Sequence, residues 1–235
     1  MAVDRVASVV FDRLRRRAPE PPGFDPNRVP DQPRETIVET SDGRYTCHAV
    51  DSVDGKLTAA YGRRHDGGDS RVFLLRDDAV EASIPATRPT AAAVAADGTV
   101  VVVERGGSDT TVHRVRGFRD DVETLDRSVV ATVTGVAVGN DGGLAAVATR
   151  RPDGAVRAYD VDTGEPAWVV DPPRAVPRLL GFHSDGDREL LYVSRERREE
   201  PYVAVDASGE IVWGNERYRA TRPLSERVRG WLDRT

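Results

Sequence analysis

Short apolar runs separated by turn residues recur along most of the chain. Four segments share one order: an apolar run, an Asp-Gly pair, a second apolar run and then an arginine. Asp-Gly between such runs is a strong hairpin signal, because these residues tolerate the positive φ angles of a tight turn. The turn aspartates are Asp54, Asp97, Asp141 and Asp185, spaced by 43, 44 and 44 residues. The pattern predicts four equivalent β-hairpins.

A second pair of short strand candidates follows each hairpin. These pairs are residues 72–75 with 79–83, 111–115 with 122–125, 156–159 with 167–170, and 202–205 with 211–213. Four strands at a period of about 40 to 45 residues are typical of a propeller blade. We therefore expect an all-β fold, a small β-propeller of about four four-stranded blades over residues 35–216.

The third unit carries the most specific motif. Its turn Asn140-Asp141-Gly142 is followed by residues 159–164, with the sequence Tyr-Asp-Val-Asp-Thr-Gly, and then by Trp168; the fourth unit ends similarly in Trp213. This pattern resembles the repeats of WD40 and quinoprotein-type propellers, in which such a tryptophan packs between neighbouring blades. Near that position the first two units have Glu81 and Thr124 or Leu125. Quinoprotein dehydrogenases have about twice as many blades, so the resemblance implies no quinone cofactor.

The sequence does not determine how the propeller ring closes. The strand-like stretch 35–40 precedes the first hairpin, and we expect it to pair with the last blade, because an open sheet edge invites pairing with another chain. The alternative is that two chains combine into a larger ring or a stack.

Both ends of the chain predict short helices. Residues 1–18 carry Val6, Val9, Val10 and Leu14 on one helical face, and residues 217–235 carry a second apolar stripe that includes Trp231. A proline-rich linker, residues 19–34, is expected to be extended. The helices either dock on their own propeller or bind a second subunit, a partner protein or an anionic membrane surface.

The composition of the chain indicates the cellular environment that we expect for the protein. Lys56 is the only lysine, so arginine supplies nearly all of the 34 cations against 39 acidic residues, for a net charge of -5. This usage resembles that of salt-adapted archaea. No apolar run approaches the roughly 20 residues that span a bilayer, and the charged N-terminus does not resemble a signal peptide. We expect a cytoplasmic protein in which the single cysteine, Cys47, is buried and structural.

No catalytic motif stands out. The chain contains no nucleophile elbow, phosphate-binding loop or His-Glu-x-x-His pair. His48 and His183 fall on predicted innermost strands, which makes a metal in a central channel conceivable, but the second and third units offer no matching ligand. We therefore predict no catalytic residues, no metal and no cofactor.

Arginines mark the loops between the second and third strands of each unit. Arg63, Arg105, Arg150 and Arg195 hold equivalent places, and such a ring of guanidinium groups suits phosphates or carboxylates. Acidic neighbours such as Glu104 and Asp66 favour plain surface ion pairs instead. The leading hypothesis is a non-enzymatic scaffold for protein-protein interaction. The alternatives are nucleic-acid or polyanion binding through the arginines and, ranked last, a propeller-type hydrolase or lyase.

Overall fold

A computed structural model describes residues 20–29, 32–106, 112–150, 154–171, 176–195, 198 and 200–221. The predicted N-terminal helix, residues 1–18, lies outside the described residues, as does most of the predicted C-terminal helix. The strands are β1 Arg34–Thr40, β2 Gly43–Asp51, β3 Leu57–Arg64, β4 Ser70–Arg76, β5 Ala79–Ala86, β6 Pro89–Val94, β7 Val100–Arg105, β8 Val112–Arg119, β9 Val122–Val130, β10 Val133–Val138, β11 Leu144–Thr149, β12 Val156–Asp160, β13 Pro166–Val170, β14 Pro177–Asp185, β15 Arg188–Arg195, β16 Val203–Val205 and β17 Ile211–Gly214. A 3₁₀ helix spans Pro26–Arg28, and helix α1 spans Glu216–Thr221.

The strands form four antiparallel sheets whose order follows the chain. The first sheet has the order β1-β2-β3-β4-β5, the second β6-β7-β8-β9, the third β10-β11-β12-β13 and the fourth β14-β15-β16-β17. Each sheet carries a register shift between its last two strands at an equivalent place. The chain is therefore a β-propeller repeat of four blades, as the sequence predicted.

The Asp-Gly turns join the first two strands of the four-strand unit in every blade. Their glycines have positive φ angles, 69° at Gly55, 95° at Gly98, 74° at Gly142 and 67° at Gly186. Glycine adopts this conformation without the steric penalty that a Cβ brings. The predicted hairpins are confirmed.

Neighbouring sheets pack face to face through three apolar clusters. Strand β7 shows the principle: Val100 and Val102 lie in the cluster between the first and second sheets, whereas Val101 and Val103 lie in the cluster between the second and third. All four are fully buried, with 0% exposure. A sheet that is buried on both faces needs a continuous apolar run rather than an alternating one.

Trp168 packs in the third cluster, between the third and fourth sheets, as the resemblance implied. Its indole Nε1 donates to the Ala207 carbonyl of the fourth sheet at 3.1 Å. The equivalent position of the second blade is held by Leu125, which is 1% exposed and packs against the third sheet. Trp213, in contrast, lies on the outer face of the fourth sheet, where no fifth blade follows among the described residues.

The hairpin turns also connect adjacent blades. A Cβ added at Gly142 of the third blade would lie 2.4 Å from Thr99 Oγ1 and 2.6 Å from Asp97 Oδ2 of the second. Asn140 donates its backbone N–H to Glu189 Oε1 of the fourth blade at 2.8 Å. Burial raises the pKa of that carboxyl. The periodic turns thus fix the distance between blades as well as the strand connections.

The prediction that residues 35–40 pair with the last blade is wrong. Strand β1 pairs antiparallel with β2, from Arg34 opposite Ala49 to Thr40 opposite Gly43, and extends the first sheet to five strands. Because the turn between β1 and β2 is short, pairing these two strands costs less loop-closure entropy than pairing β1 with a distant strand. Extensive packing of the fourth sheet on the first is absent from the part of the chain that the structure describes.

Residues 20–29 cover the outer face of the fourth sheet. Phe24 lies 4.9 Å from the rings of both His183 and Tyr192, and the Tyr192 hydroxyl donates to the Pro22 carbonyl. Val29 packs against the same cluster. The linker is therefore docked over this stretch rather than simply extended, and it takes the place that another blade would hold.

His183 anchors this segment as a neutral imidazole. Its Nδ1 accepts from the Asp25 backbone N–H at 3.3 Å, while its Nε2 lies 3.1 Å from the Leu180 carbonyl and donates to it. The side chain is 1% exposed, and burial lowers the pKa of the ring. Protonation would remove the acceptor that holds Asp25.

Helix α1 begins at Glu216, one residue before the predicted boundary of the C-terminal helix at residue 217. Asn215 caps it, since its side-chain Oδ1 accepts from the Tyr218 backbone N–H at 3.0 Å. Tyr218 stacks edge-on against Tyr202, 5.6 Å between ring centroids, and joins the third cluster. The described part of the C-terminal helix thus docks on its own propeller.

Replacing Gly142 with alanine should destabilise the fold more than replacing Gly186. Both glycines have positive φ, so each alanine costs about 1 kcal/mol in backbone strain. A Cβ at Gly186 meets nothing within 4 Å, whereas one at Gly142 collides with Thr99 and Asp97. Overpacking adds about 1–3 kcal/mol. Chemical denaturation of both variants measures the difference, and equal losses would contradict a tight joint between these blades.

Stability should fall as the pH drops below about 6.5, the ordinary pKa of histidine. Because the folded protein lowers the pKa of His183, the unfolded chain binds the proton more readily. The stabilisation is complete above 6.5 and is lost as the pH falls. Thermal melts between about pH 8 and pH 5.5 measure this dependence. His183→Gln, which keeps a donor and an acceptor but does not titrate there, should flatten that region, and an unchanged slope in the variant would contradict the assignment.

Candidate functional site

A groove opens on the outer face of the first sheet, the face turned away from the second blade. Its volume is about 710 Å³. Its walls come from β1 with the turn that follows, from alternate residues of β4, and from the start of β5. The lining residues are Thr36, Ile37, Val38, Glu39, Thr40, Ser41, Asp42, Arg71, Phe73, Leu75, Asp78, Ala79, Val80 and Ser83. We call it the first-blade groove.

The floor of the groove is a small apolar core. Val38, Tyr45, Cys47, Phe73 and Leu75 form one buried cluster with two alanines. Tyr45 and Phe73 meet edge to face, with ring centroids 5.0 Å apart. These residues come from β1 to β4 and share one face of the sheet. The edge strands β1 and β5 both line the groove, so the sheet curves around it and part of the terminal face stays open as the groove.

The main chain of β1 faces the groove along an unpaired edge. Alternate side chains of a strand point to opposite faces, yet seven successive residues, 36–42, line the cavity, so it reaches the backbone itself. Thr40 and Gly43 flank the two-residue turn and form a hydrogen-bonded pair, and such pairs alternate along an antiparallel ladder. The N–H and C=O groups of Glu35, Ile37 and Glu39 therefore point away from β2.

Exposed apolar side chains stand on both sides of this edge. Ile37 of β1 is 50% exposed and Val80 of β5 is 39% exposed. Isolated exposed aliphatic residues are ordinary, but these two border one concave site with an apolar floor. The arrangement combines main-chain hydrogen-bonding groups with apolar contact surface.

The charges at the groove are mainly negative. Glu39, Asp42 and Asp78 line it, with Arg71 as the single basic residue among the lining residues. The Arg71 guanidinium is already engaged, since its Nε donates to Asp69 at 3.2 Å and its NH1 to Ser83 at 3.2 Å. Its NH2 lies 3.8 Å from Asp42. The hydrogen bond with Asp69 raises the pKa of Arg71, which stays charged and held within the protein.

The four predicted arginines occupy equivalent positions, at or just after the end of the second strand of each four-strand unit. Arg63 donates to the carbonyls of Gly67 and Gly68 in its own loop. Arg195 lies over the Tyr202 ring, 4.3 Å from its centroid, and donates to the Tyr202 hydroxyl. Binding through these arginines stays a prediction.

The acidic residues near the predicted arginines have different kinds of ion-pair partners in the first and second blades. Asp66 pairs with Arg64 at 2.8 Å, as expected for a surface ion pair. Glu104, however, is buried and pairs with Arg116 at 2.9 Å, and Arg116 also donates to the Pro85 carbonyl of the first blade. The ion pair thus lies within the second blade, Arg116 links it to the first blade, and Glu104 does not neutralise a loop arginine.

The two histidines named for a possible metal are engaged in other contacts. His48 lies on β2 and contacts the Tyr61 ring, whereas His183 lies beneath Phe24 with both nitrogens hydrogen-bonded. Among the described residues, no group of three metal-ligating side chains comes together. Within those same residues, no helix has the length and apolar character needed to cross a membrane.

Sequence reasoning missed the first-blade groove. It recognised residues 35–40 as a strand but assigned that strand to the wrong sheet, so Ile37 and Val80 had no common surface. The available signal was the short turn, Ser41-Asp42, which favours pairing with the next strand in the sequence. The curvature of the sheet, which brings β1 near β5, leaves no sequence signal that we can identify.

Comparison with known proteins finds similarity in structure but not in sequence. No protein-family model matches the chain, and no curated protein matches it. Similar solved structures include the Swd1 β-propeller domain of Myceliophteria thermophila, with 12% identity, 66% of this chain and 49% of that chain covered, and a TM-score of 0.46. Hydrazine synthase of Kuenenia stuttgartiensis has 20% identity, with 70% and 47% covered and a TM-score of 0.47. BamB of Moraxella catarrhalis has 14% identity, with 80% and 52% covered and a TM-score of 0.43. The chain spans about half the length of these structures.

The Cys47 thiol should react slowly while the protein is folded. It is 1% exposed beneath the groove, and burial raises its pKa to about 11. At pH 8 only about one thiol in a thousand is then the reactive thiolate. Labelling with a chromogenic disulfide reagent should be slow in buffer and fast in denaturant. Equal rates would show that the floor of the groove is open.

Proposed function

We propose that this protein is a non-enzymatic scaffold that binds an extended segment of another protein in the first-blade groove. The observation that carries the proposal is the unpaired edge of β1, which lines a cavity of about 710 Å³ between exposed apolar side chains. An extended peptide adds to such an edge as a further strand, with main-chain hydrogen bonds for affinity and side-chain contacts for specificity.

The supporting geometry is local and rigid. β2 holds one edge of β1 through a register without shifts, and Val38 fixes β1 to the buried cluster below. The groups that bind the peptide are therefore in place before it arrives, which lowers the ordering cost of association. Each new main-chain hydrogen bond contributes about 0.5–1.5 kcal/mol net. The Val80 side chain adds apolar contact on the groove face of the added strand, and the Ile37 side chain adds it on the opposite face.

The test is a proline substitution at Ile37. The Ile37 N–H points away from β2, so Ile37→Pro removes one donor for the peptide without breaking the β1–β2 ladder. The probe is a panel of synthetic peptides of about eight residues, the length of an ordinary strand. We expect tenfold or greater loss of binding for every peptide that the unchanged protein binds, the order expected for a lost hydrogen bond together with its blocked edge.

Ile37→Ala is the matched control, since it removes the same apolar side chain but keeps the N–H. It should bind more tightly than Ile37→Pro, and both variants should keep the thermal transition of the unchanged protein within a few degrees. Peptide binding that is equal in the two variants, or no peptide binding to the unchanged protein, would overturn strand addition at β1.

A further inference from the structure

We infer that the segment accepted by β1 alternates apolar and basic side chains. The inference rests on the proposed function, because it assigns a chemistry to the strand that adds to this edge. Three features support it: the carboxylates on one face of β1, the apolar floor on the other, and the internal engagement of the one groove arginine.

One face of β1 presents carboxylates to the added strand. Side chains directly opposite each other on neighbouring strands share a face and lie within reach. Glu35, Ile37 and Glu39 alternate with the buried Val38 and therefore point to the same side of the sheet. Both glutamates are exposed at this edge, and Glu39 also lies 3.7 Å from Arg44 of β2 in an exposed ion pair. Arginine or lysine opposite each of them forms a favourable cross-strand pair, whereas a carboxylate there is repelled.

The other face of β1 presents the apolar floor. Val38 is 5% exposed, and it packs with Phe73 and Leu75 at the base of the groove. Side chains of the added strand on this face meet aliphatic and aromatic groups, so apolar residues fit there. Successive side chains of a strand point to opposite faces of the sheet. An added strand that suits both faces of β1 therefore alternates apolar and basic residues.

The positive charge of the groove arginine does not outweigh the negative charge of the lining residues. Arg71 is held by hydrogen bonds to Asp69 and Ser83 and lies close to Asp42. Asp78 and Glu39 add further negative charge to the lining. Among the lining residues the acidic groups outnumber the basic one, so the groove favours a cationic segment over an anionic one.

A second copy of this chain fits the edge poorly. Two β1 strands paired antiparallel over their full length, with Ile37 opposite Ile37, would set Glu35 opposite Glu39 at both ends. Like charges directly opposite each other destabilise a sheet. The structure therefore favours a segment of a different protein as the occupant.

The experiment compares two synthetic peptides, one alternating valine with arginine and one alternating valine with glutamate, each about eight residues long. Their binding to the full chain is measured by fluorescence anisotropy at low salt. We expect the arginine peptide to bind more tightly, and Glu35→Lys with Glu39→Lys to weaken it by about two- to thirty-fold, the range for two cross-strand pairs. The same double variant should bind the glutamate peptide more tightly than the unchanged protein does.

Each outcome has a separate meaning. Equal binding of the two peptides that is still lost in Ile37→Pro would overturn the charge preference and leave strand addition standing. Binding that is insensitive to Ile37→Pro would overturn the proposed function and this inference with it. A doubling of mass in light scattering that Ile37→Pro abolishes would show that a second copy occupies the edge, which would also overturn the inference. Glu210→Lys, at an exposed position just before β17 of the fourth blade, is the control for a general change in charge and should not reverse the preference.

Discussion

Every inner sheet of this protein is apolar on both faces, and the rest of the structure follows from that constraint. Strand β7 shows it most clearly, because its four valines divide between two clusters on opposite sides of the sheet. Burying each such side chain stabilises the fold by about 1.5–3 kcal/mol only when a neighbour covers it. Sheets of this kind stack side by side, and the Asp-Gly turns and Trp168 hold them at a fixed spacing.

A row of four such sheets has two terminal faces, and this chain covers them by different means. Residues 20–29 cover the fourth sheet through Phe24 and the neutral imidazole of His183. The first sheet has β1 as an added edge strand, and part of its apolar outer face stays open as the groove. Val29 at the fourth sheet and Arg34 at the start of β1 are five residue steps apart in the sequence, so their Cα atoms are separated by at most about 18 Å. The ends of the row are therefore close although their sheets do not pair.

The proposed function rests on the incomplete cover of the first sheet. A further blade there would bury Val80 and the apolar floor, and its absence from the described residues leaves a groove beside the unpaired edge of β1. In our proposal, the charge around the groove selects the segment that binds there. Elsewhere charged groups stabilise the fold. Arg116 pairs with Glu104 and donates a hydrogen bond to the first blade, and Arg63 and Arg195 form hydrogen bonds within their own blades.

The sequence by itself determined the repeat, the hairpins and the place of Trp168, because each depends on local turn chemistry and on a regular apolar period. It also indicated the strand at residues 35–40, but not its sheet, since pairing of that strand depends on which edge is nearest in space. Only the tertiary structure decided that residues 20–29 dock on the fourth blade, that Glu104 is buried, and that β1 and β5 border one groove. These features depend on sheet curvature and on contacts between residues far apart in the chain, which leave no periodic or compositional trace.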